Sequence, residues 1–256
     1  MLSATCANDA SRGQAKSNAP LGKLIGEIRL AAGARIPAYT SLDLVRRPLH
    51  QNALVAVPAE CDGANREALR PVQPTAQGLL PNVVVAASDF TRTHAWKPRK
   101  HKALIEHCRL TPSIIAATGG DTLAVENRDA YGFEPLVGPS YQARALTPGQ
   151  TLEVPMMPGG IDALQCSLGA PCGRTDLLVF FHPVHAVTDH LGHFEIAEFP
   201  AAELVRVSAW HPLFEPSETF VWVEPGQVST LNLELRPRAR FLPQAPDEPA
   251  AAVAPH

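Results

Sequence analysis

The chain has 256 residues, 45% of them hydrophobic and 18% charged, a balance that suits one or two ordinary domains with real cores and excludes a disordered chain. Its formal charge is −3 and it has no dense basic run, so it lacks the electrostatic footprint of a nucleic-acid binder. No stretch approaches the ~18 consecutive apolar residues of a transmembrane helix, and 25 prolines disfavour long helices and suit short strands joined by rigid turns.

In chain order, residues 1–20 are small, polar and aperiodic. They read as a flexible leader without the apolar segment of a secretory signal. Cys6, after Leu2-Ser3-Ala4-Thr5, is a poor match to a lipoprotein attachment site. Gly22 to Leu30 alternates as a first strand, and Ile36 to Val57 reads as a surface excursion with one helical turn near Ser41 to Leu44. Pro81 to Ala87 is a buried strand, and Lys97 to Lys102 a short solvated basic loop. Leu104 to Cys108, Ser113 to Ala117, Thr122 to Asn127, Gly149 to Pro155 and Asp176 to Phe181 read as strands, with a turn at Gly119-Gly120-Asp121. Between Ala186 and Ile196, Asp189 can bond its own turn, Gly192 can take positive φ, and Phe194 and Ile196 alternate inward. That order of devices predicts a β-hairpin. Strands around Val205 and Leu231 to Leu235 close the series, and the Pro/Ala-rich tail from Pro243 to His256 is expected to be disordered.

Two patterns resemble known domains. Thr188-Asp189, Gly192, Phe194 and Ile196, then Val205, Val207, Ala209-Trp210-His211-Pro212, then Val223-Glu224-Pro225-Gly226-Gln227 and Leu231 to Leu235, resemble the carboxypeptidase regulatory-like domain, a small transthyretin-like β-sandwich. Cys108 with Pro112, Gly120 to Asn127 with Asp129, Pro148 to Pro155, a lone Cys166, and Val179 with His182-Pro183 resemble the cupredoxin-like domain of plastocyanin-like envelope proteins, including a group tied to methylamine utilisation. Together the resemblances imply an all-β chain of two small β-sandwich units. A cupredoxin-like Greek-key unit, 103–182, is inserted into a regulatory-like sandwich built from 21–102 and 183–240, between a leader, 1–20, and a tail, 241–256. Regulatory-like domains accompany zinc carboxypeptidases as accessory units, and the ligand motif of those enzymes is absent from the sequence.

The copper chemistry of the resembled fold needs a thiolate, two imidazoles and a weak axial ligand. Phe133 stands where the first imidazole belongs, and the loop from Cys166 to Arg174 has the thiol but neither His nor Met. No metal cofactor is therefore expected. Either Phe133 plugs the vacated position as core, or that end is reused as an aromatic patch of Tyr131, Phe133 and Tyr141 with Arg174 at its rim. His182, His185, His190 and His193 do not follow a ligand spacing, and in an alternating strand His182 and His185 point to opposite faces. His211 reads as a strand-end residue. The carboxylates Glu126, Asp129, Asp189 and Glu195 read as turn caps or solvated charges, and no nucleophile elbow, metalloprotease helix or phosphate loop is present, so catalysis is not expected.

Five cysteines leave one over, and Cys6 in the leader is the natural odd one. The resemblance implies a bridge between Cys61 and Cys108 linking host to insert. Cys166 and Cys172 close a short loop of their own if their Cβ atoms approach to about 3.5–4.5 Å; the other reading is four buried free thiols in a cytosolic protein. The expected function is a non-catalytic binding or structural module of the bacterial cell envelope with an unidentified protein or envelope partner, the alternative being a redox or copper-related periplasmic protein using Cys166 and Cys172. An envelope location requires an export signal upstream of this start; otherwise the chain is cytoplasmic.

Overall fold

A computed structural model describes residues 20–37, 72–91, 96–138, 144–166 and 172–242. The leader up to residue 19, the expected helical turn at Ser41, Cys6, Cys61, Tyr141 and the tail from Pro243 lie outside the described residues. Within them the chain is all-β, with four sheets and no α-helix.

Sheet A places β1 (Leu21–Leu30) between antiparallel β12 (His193–Pro200) and parallel β15 (Val228–Leu235). Sheet B runs β11 (His185–Val187), β2 (Val84–Ser88), β13 (Leu204–Trp210), β14 (Ser217–Trp222). Sheet C runs β4 (Arg109–Thr111), β3 (Lys100–Glu106), β6 (Thr122–Asn127), β8 (Thr151–Pro155), and sheet D runs β5 (Ile114–Thr118), β10 (Arg174–Phe180), β9 (Gly160–Cys166), β7 (Pro135–Val137). Val84 and Val85 thus pair with β11 and β13, not with strands from 104–182.

Period-two alternation sends Leu24, Ile28, Phe194 and Ile196 from sheet A, and Val85, Val205 and Val207 from sheet B, into one core. Ile105, Leu123 and Val125 from sheet C meet Ile115, Leu177 and Val179 from sheet D in a second. A third, smaller cluster joins Val84 of sheet B to Ile114, Ala116 and Leu178 of sheet D, with Phe180, Val187 and Trp210 against it. The layers therefore stack A, B, D, C. Sheet D is covered on both faces, which is why β10 is buried at every position between its two ends. Each fully buried Leu, Ile or Phe contributes about 1.5–3 kcal/mol.

Two expectations change. The stretch from Ala186 to Ile196 is a corner and not a hairpin. Its turn closes through Asp189 N–H to the His193 carbonyl at 2.8 Å, with Gly192 at φ +84°, but β11 then pairs with β2 in sheet B while β12 pairs with β1 in sheet A. Thr188 fixes the corner, because its hydroxyl accepts from Val83 N–H at 2.9 Å and donates to the Leu80 carbonyl at 2.7 Å. The basic loop is also half strand. Lys100-His101-Lys102 opens β3, pairing parallel with β6, and its lysines meet Glu153 and Glu126. An edge placed at 102/103 therefore falls inside β3.

Candidate functional site

Three places gather polar chemistry. The first is the end of the second sandwich where the copper of a cupredoxin-like fold would be sought. After β3, His107 and Cys108 both take positive φ, at 52° and 56°, in the two-residue turn to β4. The Asp129 carboxylate holds that turn, accepting His107 N–H at 2.6 Å and Cys108 N–H at 2.7 Å. Asn127, fully buried, donates through Nδ2 to the carbonyls of Tyr131 at 2.6 Å and Leu146 at 2.9 Å. Phe133 is 2% exposed and lies in the core with Leu146, Cys108 and Cys172, so it offers nothing to a surface patch.

Cys166 and Cys172 are joined by a disulfide, with Cα atoms 5.5 Å apart. Cys108 is disulfide-bonded too; Cys61, which the sequence resemblance pairs with it, lies outside the described residues. Arg174 does not sit at a rim. Its side chain is 16% exposed and reaches the buried Asp176 carboxylate, from Nε at 2.9 Å and from the terminal nitrogen at 2.6 Å. Burial pushes the Asp176 pKa up, and Arg174 offsets only part of that. Tyr131 packs against the core margin. As a copper site the donor set does not fit: Phe133 has no lone pair, and the Cys166 sulfur is committed to Cys172.

The second place is the join between sheets B and D. Asp121, 2% exposed, accepts from Arg99 N–H at 2.8 Å and Thr118 N–H at 2.9 Å, and its Oδ2 lies 2.8 Å from His101 Nε2. Burial opposes its charge, but the two N–H groups and His101 outweigh that and hold its pKa below the usual carboxylate value. Thr118 Oγ1 meets His185 Nε2 at 3.0 Å. The chain bends at residues 181–183, so strand alternation does not carry through, and both His182 and His185 pack against the Phe180 ring, at 5.9 and 4.8 Å. Burial, then His182, lowers the His185 pKa to about 4. His211 is 2% exposed inside the first sandwich, accepts weakly from Leu213 N–H at 3.3 Å, and is lowered by burial to about 3.

The third is a cleft of about 700 Å³ over sheet A, lined by Glu27, His193, Glu195 and Asn232 and closed on one side by Ala186 and Val187 of β11. Glu27 pairs with Arg29 and lies 3.9 Å from His193, Glu195 meets Lys23 at 2.8 Å, and Asn232 Oδ1 accepts Glu27 N–H at 3.3 Å. Asp189 keeps its carboxylate for the turn, accepting Leu191 and His193 N–H. Sequence reasoning missed this cleft: alternation marked the outward residues of β1 and β15, but not that β12, β1 and β15 are neighbours. Among the described residues no group of three or more His, Cys, Asp or Glu is placed to hold a metal ion.

No family model matches the chain, and no curated protein does. Solved structures similar to part of it include a reduced amicyanin mutant (15% identity, 31% of this chain and 80% of that one, TM-score 0.28). Others are a purple cupredoxin from Nitrosopumilus maritimus (15%, 31% and 98%, 0.28) and a copper-containing nitrite reductase from Thermus scotoductus SA-01 (15%, 37% and 25%, 0.29). At these TM-scores the likeness carries neither a family nor an activity to this chain.

Proposed function

We propose that this chain is a non-catalytic β-sandwich module of the bacterial cell envelope, in which a regulatory-like sandwich carries a cupredoxin-like unit whose metal end has become structural core. The observation that carries the reading is the Cys166–Cys172 disulfide, which commits the one sulfur a copper thiolate would need. The buried Phe133 beside it supports the same reading. Disulfides persist in oxidising compartments, and Cys108 is bridged as well, which favours an exported protein over a cytosolic one. Binding is left to the open polar cleft over sheet A, where the exposed Lys23–Glu195 pair is worth little in water. A redox role for Cys166 and Cys172 is the less favoured reading: Cys172 is fully buried, so exchange would have to start at the half-buried Cys166.

The test is mass spectrometry of unreduced peptides after thiol blocking, on protein taken from its native host. Recovery of the joined peptides around Cys166 and Cys172 supports the proposal. Finding both cysteines alkylated removes it.

A further inference from the structure

The join between the two sandwiches contains more titratable groups than its packing needs. Its apolar part is small, Val84 against Ile114, Ala116 and Leu178 with Trp210 at its edge. Beside it a chain of polar contacts crosses from sheet C through the β5–β6 turn to β11: His101 to Asp121, Asp121 to the Thr118 N–H, and the Thr118 hydroxyl to His185. His185 belongs to sheet B and Thr118 to sheet D, so this contact ties one sandwich to the other.

The imidazole of His185 is stacked on Phe180 at 4.8 Å and 25° between planes. The groups that face it are His182 on the bend, itself edge-on to Phe90 at 4.9 Å, and Asp121, His101 and Arg99 from the second sandwich. Asp121 is the one anion among them, and it already serves His101 and two backbone N–H groups. A second proton on His185 therefore puts a cation between two sheets, against a ring, with no anion free to answer it.

We propose that the join is a proton-sensitive latch, closed while the His185 ring is neutral and loosened when that ring takes up a proton. Burial keeps the ring neutral down to about pH 4, consistent with its lowered pKa. Loosening parts sheets B and D while each sandwich keeps its own core, because the two larger clusters share no residue with the third.

Trp210 is a natural reporter, since it packs at the join, whereas Trp96 and Trp222 are 37% and 51% exposed and can be changed to Phe. In that background we expect Trp210 emission to shift to the red as the pH falls from 6 through 4, with the far-ultraviolet circular dichroism unchanged. His185→Gln, which keeps an acceptor for Thr118, should abolish the shift. His182→Asn, removing a neighbouring positive charge, should move its midpoint to higher pH, and decides the matter if the first variant does not fold. A red shift that persists in His185→Gln belongs to the buried His211 next to the reporter and overturns the latch. So does a shift that coincides with loss of the circular dichroism, or a midpoint unmoved in His182→Asn.

Discussion

The two sandwiches treat their polar groups in opposite ways. At the end of the second that carries the Cys166–Cys172 bridge, Asn127, Asp129 and Arg174 are turned onto backbone or buried carboxylate, and Phe133 and the bridge fill the rest. In the cleft over sheet A of the first, Glu27, Glu195 and His193 meet partners across water-exposed ion pairs. The difference is one of competition. Buried groups answered by the protein resist replacement because leaving any one of them unpaired costs ~1–3 kcal/mol or more, while exposed pairs worth about 0–1 kcal/mol yield to a ligand.

That contrast should break most visibly at the bridged end. Phe133→Ala should cost about 3–5 kcal/mol by cavity formation, and Arg174→Met should cost about as much by leaving Asp176 buried and uncompensated. Chemical denaturation would read both, and an unchanged melting temperature in Arg174→Met would mean the residue is a surface group after all. Asp129→Ala should follow at about 2–3 kcal/mol, since it strips the anion from two N–H groups of a turn held at positive φ.

Acid should separate the two regions next. His185 and His211 both have folded-state pKa values below the ordinary 6.5, so the folded chain binds fewer protons than the unfolded one. Their stabilisation is complete above pH 6.5 and is lost as pH falls toward 4 and 3, at on the order of 1.4 kcal/mol per pH unit for each group. Denaturation midpoints at pH 7, 5.5 and 4.5 check this, and a flat series would contradict it. The smallest effect belongs to the cleft: Glu195→Gln should shift stability by less than about 0.5 kcal/mol while weakening any ligand bound there, as titrations of the two proteins would compare.

The strands were legible in the sequence where a single alternation decides them. Thr122 to Asn127 is β6 as read, and Phe194 and Ile196 are 4% exposed. What could not be read is which sheet a strand joins. The Asp189–Gly192 turn has all the marks of a hairpin, yet its two arms go to different sheets, because partners for Val187 and Ile196 are supplied by β2 and β1 from far upstream. The cleft and the histidine join were hidden for the same reason: His101, Asp121 and His185 come from three separate elements, and no spacing rule brings them together. The misplacement of Arg174 has a readable sign. Arg174 and Asp176 are two apart on a strand and so share a face, and an Asp opening an apolar run is more often paired than free.

The central claim of the proposal is that the bridged end of the second sandwich is structural core and holds no copper. Its most direct test is to offer Cu(II) to the purified protein, before and after reduction of the disulfides and removal of the reductant, then desalt and measure bound metal and visible absorption. The account predicts no copper retained by the oxidised protein, and no thiolate-to-copper absorption in the reduced one, because Cys166 would stand there without imidazole partners. One equivalent of copper retained by wild type and lost in Cys166→Ser would contradict it.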